Sequence, residues 1–242
     1  MEAEKIILPS GNSASLAATH TLTPVNNSQI KAVPVSTPKP IIFYIGGAGD
    51  QESYYFQGAF HNIDDVDLLM SKRMENAQLS EKYTKYVWGY NEARGDGDIK
   101  KHITNLIPNR SCPIYIVGHS LGGWNGAHLS KILSDEGYKI ALLITLDPVG
   151  KGFLVWLGSD IYYSEPTPVA DMWINIRANP IKSDASDHVA NFGERWVVSQ
   201  GPTINATVNI NHAFASHMMV APIQGEKCAL DFLYDAYVKN IK

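Results

Sequence analysis

The sequence PIYIVGHSLGG, residues 113–123, joins an uninterrupted apolar run to a serine that lies between glycines. The apolar run, 113–117, lacks the alternation of a half-exposed strand, so it predicts a strand covered on both faces, as in a parallel sheet. Apolar residues at helical spacing follow from Ala127 to Leu133. The segment therefore predicts a sharp strand-to-helix turn that holds the Ser120 hydroxyl above the edge of a sheet.

The flanking sequence repeats this alternation of apolar runs and amphipathic stretches. Alternation of this kind is typical of strands linked by crossover helices, so we predict an α/β protein with a mostly parallel central sheet flanked by helices. The predicted strands are 41–45, 83–90, 113–117, 140–146 and 172–176, with 196–200 and 203–210 as a hairpin or two separate strands. The predicted helices are 64–78, 98–107, one that follows GHSLGG and runs to about Ser134, and 226–238.

Residues 1–38 differ in composition from the rest of the chain. They are rich in Ser, Thr, Asn, Ala and Pro and contain only short apolar pieces. We interpret them as a polar arm, and we predict a single domain over 39–242, since a chain of 242 residues can bury one large core.

Composition disfavours several classes of function. The formal net charge of −4 provides no basic field for nucleic acid, and Cys112 and Cys228 form neither a disulfide framework nor a zinc spacing. We expect two thiols, with a single bridge as the alternative. The first twenty residues lack a signal-peptide pattern, and no run of about 18 apolar residues predicts a membrane span. We expect a cytoplasmic protein, or one that is exported by a route independent of signal peptides.

A serine nucleophile needs a base, and the base needs an acid that fixes its tautomer. Asp147 is the predicted acid, because it directly follows the strand after the Ser120 helix and precedes Pro148, which ends that strand. Asp184 and Asp187 are the alternatives.

The base is expected near the end of the chain, where NHAFASH, residues 211–217, contains two histidines. We predict His217, because it lies in the expected loop between the last strand and the closing helix, with His212 as the alternative and His188 as a third candidate. His119 is expected to point away from the nucleophile and to be structural.

The oxyanion formed on attack needs two backbone N–H donors. The residue after the nucleophile, Leu121, is expected to provide one of them. Gly47 and Ala48, in the glycine-rich turn GGAG after the first predicted strand, are candidates for the other, and an ordinary glycine turn is the alternative interpretation.

Two short motifs resemble a known family, the α/β-hydrolase lipases and esterases. GHSLGG, residues 118–123, resembles the lipase form of the nucleophile turn, and Leu146-Asp147-Pro148 is similar to the acid segment of pancreatic-type lipases. The resemblance implies an α/β-hydrolase fold, a Ser-His-Asp triad, hydrolysis of carboxylic esters, and no cofactor or metal. The GGAG turn differs from the His-Gly oxyanion signature that is common in that family.

An apolar insertion follows Asp147, with FLVWL at 153–157 and two tyrosines at 162–163. Two interpretations are open: the insertion over 150–170 is a lid or acyl-chain wall, or its residues are ordinary core. A lid would favour a lipase or phospholipase that acts on acyl lipids and makes transient contact with a membrane interface. An acyltransferase or thioesterase with the same triad, and a binding protein that has lost catalysis, are the alternative functions.

Overall fold

A computed structural model describes residues 38–54 and 56–241 of the chain. The described elements all belong to one unit of chain, Ser36–Lys242. The predicted polar arm, 1–38, lies outside the described residues except for Pro38, and the single domain predicted for 39–242 stays a prediction.

Six parallel strands form the central sheet. They are β1 Ile41–Gly46, β2 Lys85–Gly89, β3 Ile114–His119, β4 Ile140–Leu146, β5 Trp173–Ala178 and β6 Ile204–Val208. Their order across the sheet is β2-β1-β3-β4-β5-β6, and every neighbouring pair runs parallel. The predicted α/β architecture is confirmed, since a sheet of this kind needs covered faces and crossover connections.

Helices cover both faces of the sheet. They are α1 Asn62–Asn76, α2 Asp96–His102, α3 Leu121–Asp135, α4 Phe153–Gly158, α5 Ala185–Phe192, α6 Ala215–Val220 and α7 Ala229–Lys239. Successive residues of β1 point to opposite faces, so Phe43 packs in the core with Trp124 of α3, and Tyr44 packs in the core with Met70 of α1. A short antiparallel hairpin, β7 Pro222–Gln224 with β8 Lys227–Cys228, precedes α7.

The register brings the functional loops to one edge. Gly46 pairs with Gly89, and His119 pairs with Leu146, so β1, β2, β3 and β4 end at the same level. Because parallel strands all end at the same edge, the residues that follow them meet there.

Three sequence predictions need correction. Residues 196–200 do not form a strand, and of the two alternatives the hairpin is wrong, since the strand within 203–210, β6, pairs in parallel with β5. The closing helix begins at Ala229 rather than at 226, because β8 occupies Lys227–Cys228. The predicted helix 98–107 is interrupted after His102 and continues as a short 3-10 turn, Thr104–Leu106.

Both cysteines are free thiols, which excludes the bridge considered as an alternative. In the described part of the chain, no helix has both the length and the apolar character needed to cross a membrane.

Candidate active site

Ser120 lies at the bend between β3 and α3 with a left-handed backbone conformation, φ 55° and ψ −125°. A positive φ is unfavourable for serine, so its surroundings must hold the conformation in place. Its carbonyl accepts from the N–H groups of Gly123, Trp124 and Val149 at 3.0, 3.2 and 3.1 Å, and its own N–H donates to Leu146 at 3.1 Å. The bend is thereby fixed to the helix on one side and to the end of β4 on the other.

The glycines on either side of Ser120 allow this bend to pack closely. A Cβ on Gly118 would lie 2.3 Å from the carbonyl oxygen of Gly122, and a Cβ on Gly122 would lie 2.1 Å from the carbonyl oxygen of Ile45. Both distances are too short for any side chain. The G-x-S-x-G spacing is therefore required by backbone contacts between β1, β3 and the first turn of α3.

His212 brings its imidazole to Ser120 from the loop that follows β6. Its Nε2 lies 3.0 Å from the Ser120 Oγ, and its Nδ1 lies 2.7 Å from Oδ2 of Asp147. A carboxylate only accepts, so the Nδ1–H donates to Asp147 and leaves Nε2 free to accept the Ser120 hydroxyl proton. The structure thus brings Ser120, His212 and Asp147 into one hydrogen-bonded chain.

The structure corrects the preferred position of the base. His217 lies in α6, where its ring packs edge-on against Phe214 with centroids 5.3 Å apart, and none of the hydrogen bonds of the described residues joins it to Ser120. The reason is the early end of β6 at Val208, which leaves His212 in the loop beyond the strand and places residue 217 in a helix that the sequence did not predict.

The remaining candidates from the sequence lie around this chain of residues but not in it. His188 is an exposed residue of α5, and Asp184 caps the N-terminus of that helix by accepting from the N–H groups of Ser186 and Asp187. Asp187 is buried, yet its carboxylate accepts from the backbone N–H of His212 at 3.1 Å instead of from the ring. Neither aspartate occupies the place of Asp147.

Asp147 is completely buried at the end of β4, and its carboxylate accepts hydrogen bonds from three other residues. Besides His212, its carboxylate accepts from the Ala178 N–H at 3.0 Å and from Nε of Arg195 at 2.7 Å. Burial alone would raise the pKa of Asp147, but the hydrogen bonds from His212 and Arg195 and the positive charge of Arg195 outweigh it and hold the pKa below its ordinary value. The carboxylate therefore stays ionised beside the imidazole.

His119 supports His212 from the other side. Its Nε2–H donates to the carbonyl oxygen of His212 at 2.8 Å, and the two rings lie 4.8 Å apart. Burial, together with the nearby His212, lowers the pKa of His119 to about 3, so the ring is neutral at physiological pH. The sequence placed His119 away from the reacting serine but did not reveal this contact.

The expected oxyanion donors lie beside the serine. A Cβ on Gly47 would be 2.6 Å from the Cβ of Ser120 and 3.1 Å from its Oγ, so the backbone of Gly47 passes directly over the hydroxyl. Leu121 is the first residue of α3, where an N–H has no carbonyl partner within the helix. Ala48 follows Gly47 and packs against the core on the α3 face of the sheet.

Arg195 is the polar residue of the site that sequence reasoning missed. It lies 48 residues after Asp147 in a segment without a regular element, and its guanidinium also binds Asp187, with Nη2 to Oδ1 at 2.8 Å. No spacing rule links such an arginine to a triad, so the sequence carried no signal for it. In the described residues, no group of three or more His, Cys, Asp or Glu is placed to hold a metal ion.

The sheet has the strand order β2-β1-β3-β4-β5-β6. Ser120 lies at the bend after β3, Asp147 directly after β4 and His212 after β6, which is the chain order Ser, Asp, His of α/β-hydrolases. The chain has an α/β-hydrolase fold.

Comparisons with known proteins gave several solved structures at low sequence identity. No family model matches the chain, and no curated protein matches its sequence. A putative α/β-superfamily hydrolase of Xanthomonas campestris pv. campestris is 14% identical, with a TM-score of 0.37, over 83% of this chain and 96% of that one. A type II thioesterase from the yersiniabactin pathway is 10% identical, with a TM-score of 0.43, over 91% and 98%. An esterase of the archaeon Pyrobaculum calidifontis is 12% identical, with a TM-score of 0.42, over 85% and 78%.

The insertion of this α/β-hydrolase fold consists of two parts with different surroundings. Helix α3 holds the second part, since Trp124, Asn125 and His128 bond the carbonyl oxygens of Tyr162, Asp160 and Ser164 at 2.8, 3.0 and 2.8 Å. The first part is α4, which buries one apolar side chain and exposes three others. The buried residue is Val155, and the exposed residues are Phe153, Leu154 and Leu157.

More apolar side chains are exposed in the other segments at this edge of the sheet. Their distribution follows the strands, because each belongs to the chain that leaves β1, β5 or β6. They are Phe56, Phe60, Ile181, Val189, Phe192, Val197 and Phe214. The segments that connect the strands after β1, β5 and β6 therefore expose several apolar side chains.

Proposed function

We propose that the protein is a serine hydrolase that cleaves carboxylic esters. The observation that carries this proposal is the pair of hydrogen bonds of His212, to the Ser120 Oγ at 3.0 Å and to Asp147 at 2.7 Å. A serine hydroxyl becomes a nucleophile when a neutral imidazole accepts its proton and a carboxylate fixes the tautomer of that imidazole. Ser120, His212 and Asp147 are the catalytic residues of this proposal.

The reaction proceeds in two steps. The Ser120 Oγ attacks the ester carbonyl carbon while His212 Nε2 accepts the hydroxyl proton, and the carbonyl oxygen becomes an oxyanion. His212 then gives this proton to the leaving alcohol as the ester C–O bond breaks, which leaves an acyl-serine. Water attacks the acyl carbon, passes a proton through His212 to the Ser120 oxygen, and the acid leaves. Asp147 remains a carboxylate throughout and stabilises the imidazolium.

The backbone N–H of Leu121 and that of Gly47 or Ala48 would bind the oxyanion. The free N–H at the start of α3 and the close approach of Gly47 to Ser120 support this assignment. Donors of this kind act most strongly where water is excluded, and Ser120 is only 8% exposed.

The substrate class within the esters is proposed to be acyl lipids, which makes the enzyme a lipase or phospholipase. Support comes from the exposed apolar side chains of α4 and the neighbouring loops at the edge that carries Ser120. Exposed apolar side chains that lie together can bind an apolar partner or ligand. The same proposal includes transient contact with a membrane interface. It also includes a location in the cytoplasm, or export by a route independent of signal peptides.

Labelling with a fluorophosphonate tests the nucleophile directly. We expect the probe to modify Ser120 in the folded wild type, as located by mass spectrometry, and Ser120→Ala to lose labelling and at least about 10⁴-fold of the esterase kcat. Ser130→Ala is the matched control, because Ser130 is a buried serine of α3, the helix that follows Ser120, and it bonds only backbone groups, Ala127 and Val169. It should keep both properties.

The products distinguish the alternative functions. Oxygen esters, thioesters and an added alcohol acceptor are supplied in parallel, and the preferred turnover separates an esterase from a thioesterase or an acyltransferase. A folded wild type that the probe does not label would contradict the proposal and would favour a binding protein with a hydrolase fold.

A further inference from the structure

Four hydrogen bonds form a closed ring around the base of the proposed triad. Asp147 Oδ2 accepts from His212 Nδ1 and from Arg195 Nε, both at 2.7 Å. Arg195 Nη2 donates to Asp187 Oδ1 at 2.8 Å, and the same oxygen accepts the backbone N–H of His212 at 3.1 Å. The ring thus begins at the imidazole of His212 and returns to the backbone of the same residue.

The ring fixes His212 at two separate points. Asp147 orients the imidazole, and Asp187 locates the backbone from which the imidazole extends. Arg195 determines the spacing of these two carboxylates, because its planar guanidinium contacts both of them with fixed geometry. A displacement of either carboxylate would move Nε2 relative to the Ser120 Oγ.

The two carboxylates of the ring are buried, and the arginine between them is nearly so. The side chain of Arg195 is 10% exposed, and those of Asp147 and Asp187 are 1% and 2% exposed. Buried charges are stable only when they are paired and fully hydrogen-bonded. Asp187 meets this condition through further bonds from the Asp184 N–H at 3.0 Å and the Asn211 amide at 2.7 Å.

The ring also determines the charge that faces the imidazole. Asp147 and Asp187 provide two negative charges, and Arg195 provides one positive charge. His119, the other titratable group packed against the imidazole of His212, is neutral. The resulting charge of −1 balances an imidazolium. Two bonds of 2.7 Å to one oxygen place Arg195 Nε and His212 Nδ1 within about 5 Å of each other, where charges interact strongly in a buried site.

We infer that Arg195 and Asp187 are positioning residues of the hydrolase, which together hold His212 in place and limit how strongly its protonated form is stabilised. This inference rests on the proposed function. Neither residue touches the reacting serine, and both act through His212 and Asp147.

The two residues are expected to affect the pH profile in opposite directions. Arg195→Gln removes the positive charge, so protonated imidazole becomes more stable and the acid limb of the activity profile moves to higher pH, by about one unit. Asp187→Asn removes a negative charge, so the acid limb moves to lower pH. Arg195→Lys keeps the charge without the planar fork, so the limb stays near its wild-type position while the rate falls about 10-fold or more.

The experiment measures the rate constant for fluorophosphonate labelling of Ser120 from pH 5 to 9 in the full chain, with a melting temperature for each variant. Arg73→Gln is the matched control, since it removes a guanidinium from a different ion pair, with Asp231 at 2.6 Å. It should leave the acid limb in place. If Arg195→Gln does not fold, Asp187→Asn decides the question by the direction of its shift, and Arg195→Lys decides it by a lower rate at an unchanged acid limb.

The outcomes separate this inference from the function on which it rests. Opposite shifts for the arginine and aspartate variants support it. If the wild type is labelled but the acid limb of both variants stays in place, or moves in the same direction in both, the positioning roles alone are overturned. A wild type that is not labelled at any pH overturns the serine hydrolase, and the positioning roles with it.

Discussion

His212 is held at three points in addition to its contact with Ser120. Asp147 binds the ring, Asp187 binds the backbone N–H, and His119 binds the backbone carbonyl. These contacts leave Nε2 as the one ring nitrogen directed at the Ser120 Oγ. At the scale of single residues, the proposed reactivity therefore depends on the placement of one imidazole.

Replacing the two late histidines separately tests this placement. We expect His212→Gln to lose at least about 10⁴-fold of kcat on a medium-chain ester, because no other described group lies in position to take the Ser120 proton. His217→Gln should stay within about threefold of wild type, since its ring packs against Phe214 in α6. Initial rates with melting temperatures provide the measurement, and a greater loss in His217→Gln would overturn the assignment of the base.

Sequence reasoning located residues that adjoin strand ends and failed for residues that do not. Ser120 and Asp147 directly follow β3 and β4, whose apolar runs end where the strands end. The apolar pattern over 203–210 continues past Val208, the true end of β6, so it could not place His212 beyond the strand. Arg195 contacts Asp147 only through the fold, and no local pattern indicates such a contact.

At the scale of elements, the inner strands β1, β3, β4 and β5 were predictable because both of their faces are buried, whereas the edge strands β2 and β6 are only partly covered. The prediction of a strand at 196–200 was wrong for a physical reason: Trp196 and Val198 are buried while Val197 and Ser199 are exposed, which reproduces the alternation of a strand. The backbone there pairs with other groups, since the Trp196 N–H donates to Pro148 and the Val198 carbonyl accepts from Asn205. A single sequence shows which residues are apolar but not whether a neighbouring strand is present, so it cannot distinguish such a segment from a strand.

Helix α4 can be tested as an element that contacts acyl chains. Leu154 and Leu157 are 61% and 67% exposed, so changing both to Ser should alter the free energy of unfolding by less than about 1 kcal/mol. If the helix contacts acyl chains, kcat/KM should fall about 10-fold for long-chain esters, since two lost methylene contacts are worth about 0.8 kcal/mol each, and it should stay unchanged for acetate esters.

The control for α4 is Leu68→Ser on α1, which removes a leucine that is 47% exposed on a different element. It should lower neither activity. The measurement is a series of p-nitrophenyl esters of increasing chain length, together with turnover on phospholipid vesicles. An equal loss on acetate and long-chain esters in the α4 variant would exclude a role in acyl-chain selection.

At the scale of the whole molecule, the loop after β1 joins the active-site edge to the helical layer. Asp50 in this loop is buried, and its carboxylate accepts from the N–H groups of Asn62 and Ile63 at the start of α1. A Cβ on Gly46 would lie 2.1 Å from that carboxylate, so the end of β1 packs directly on it. Global unfolding must therefore expose this carboxyl group to water.

Burial raises the pKa of Asp50 to about 6, against the lowering effect of the N–H groups of Asn62 and Ile63, whereas an unfolded chain has an aspartate pKa of about 4. The folded protein therefore binds a proton that the unfolded chain releases between these values, so the contribution of Asp50 to stability increases as the pH falls through this window. We expect the difference in the free energy of unfolding between wild type and Asp50→Asn to favour wild type by about 1 kcal/mol more at pH 5 than at pH 7.5. Urea unfolding of both proteins at both pH values measures it, and comparison with the variant cancels the other titrating groups. A difference that stays constant, or that increases towards pH 7.5, would mean that the folded protein does not hold this proton.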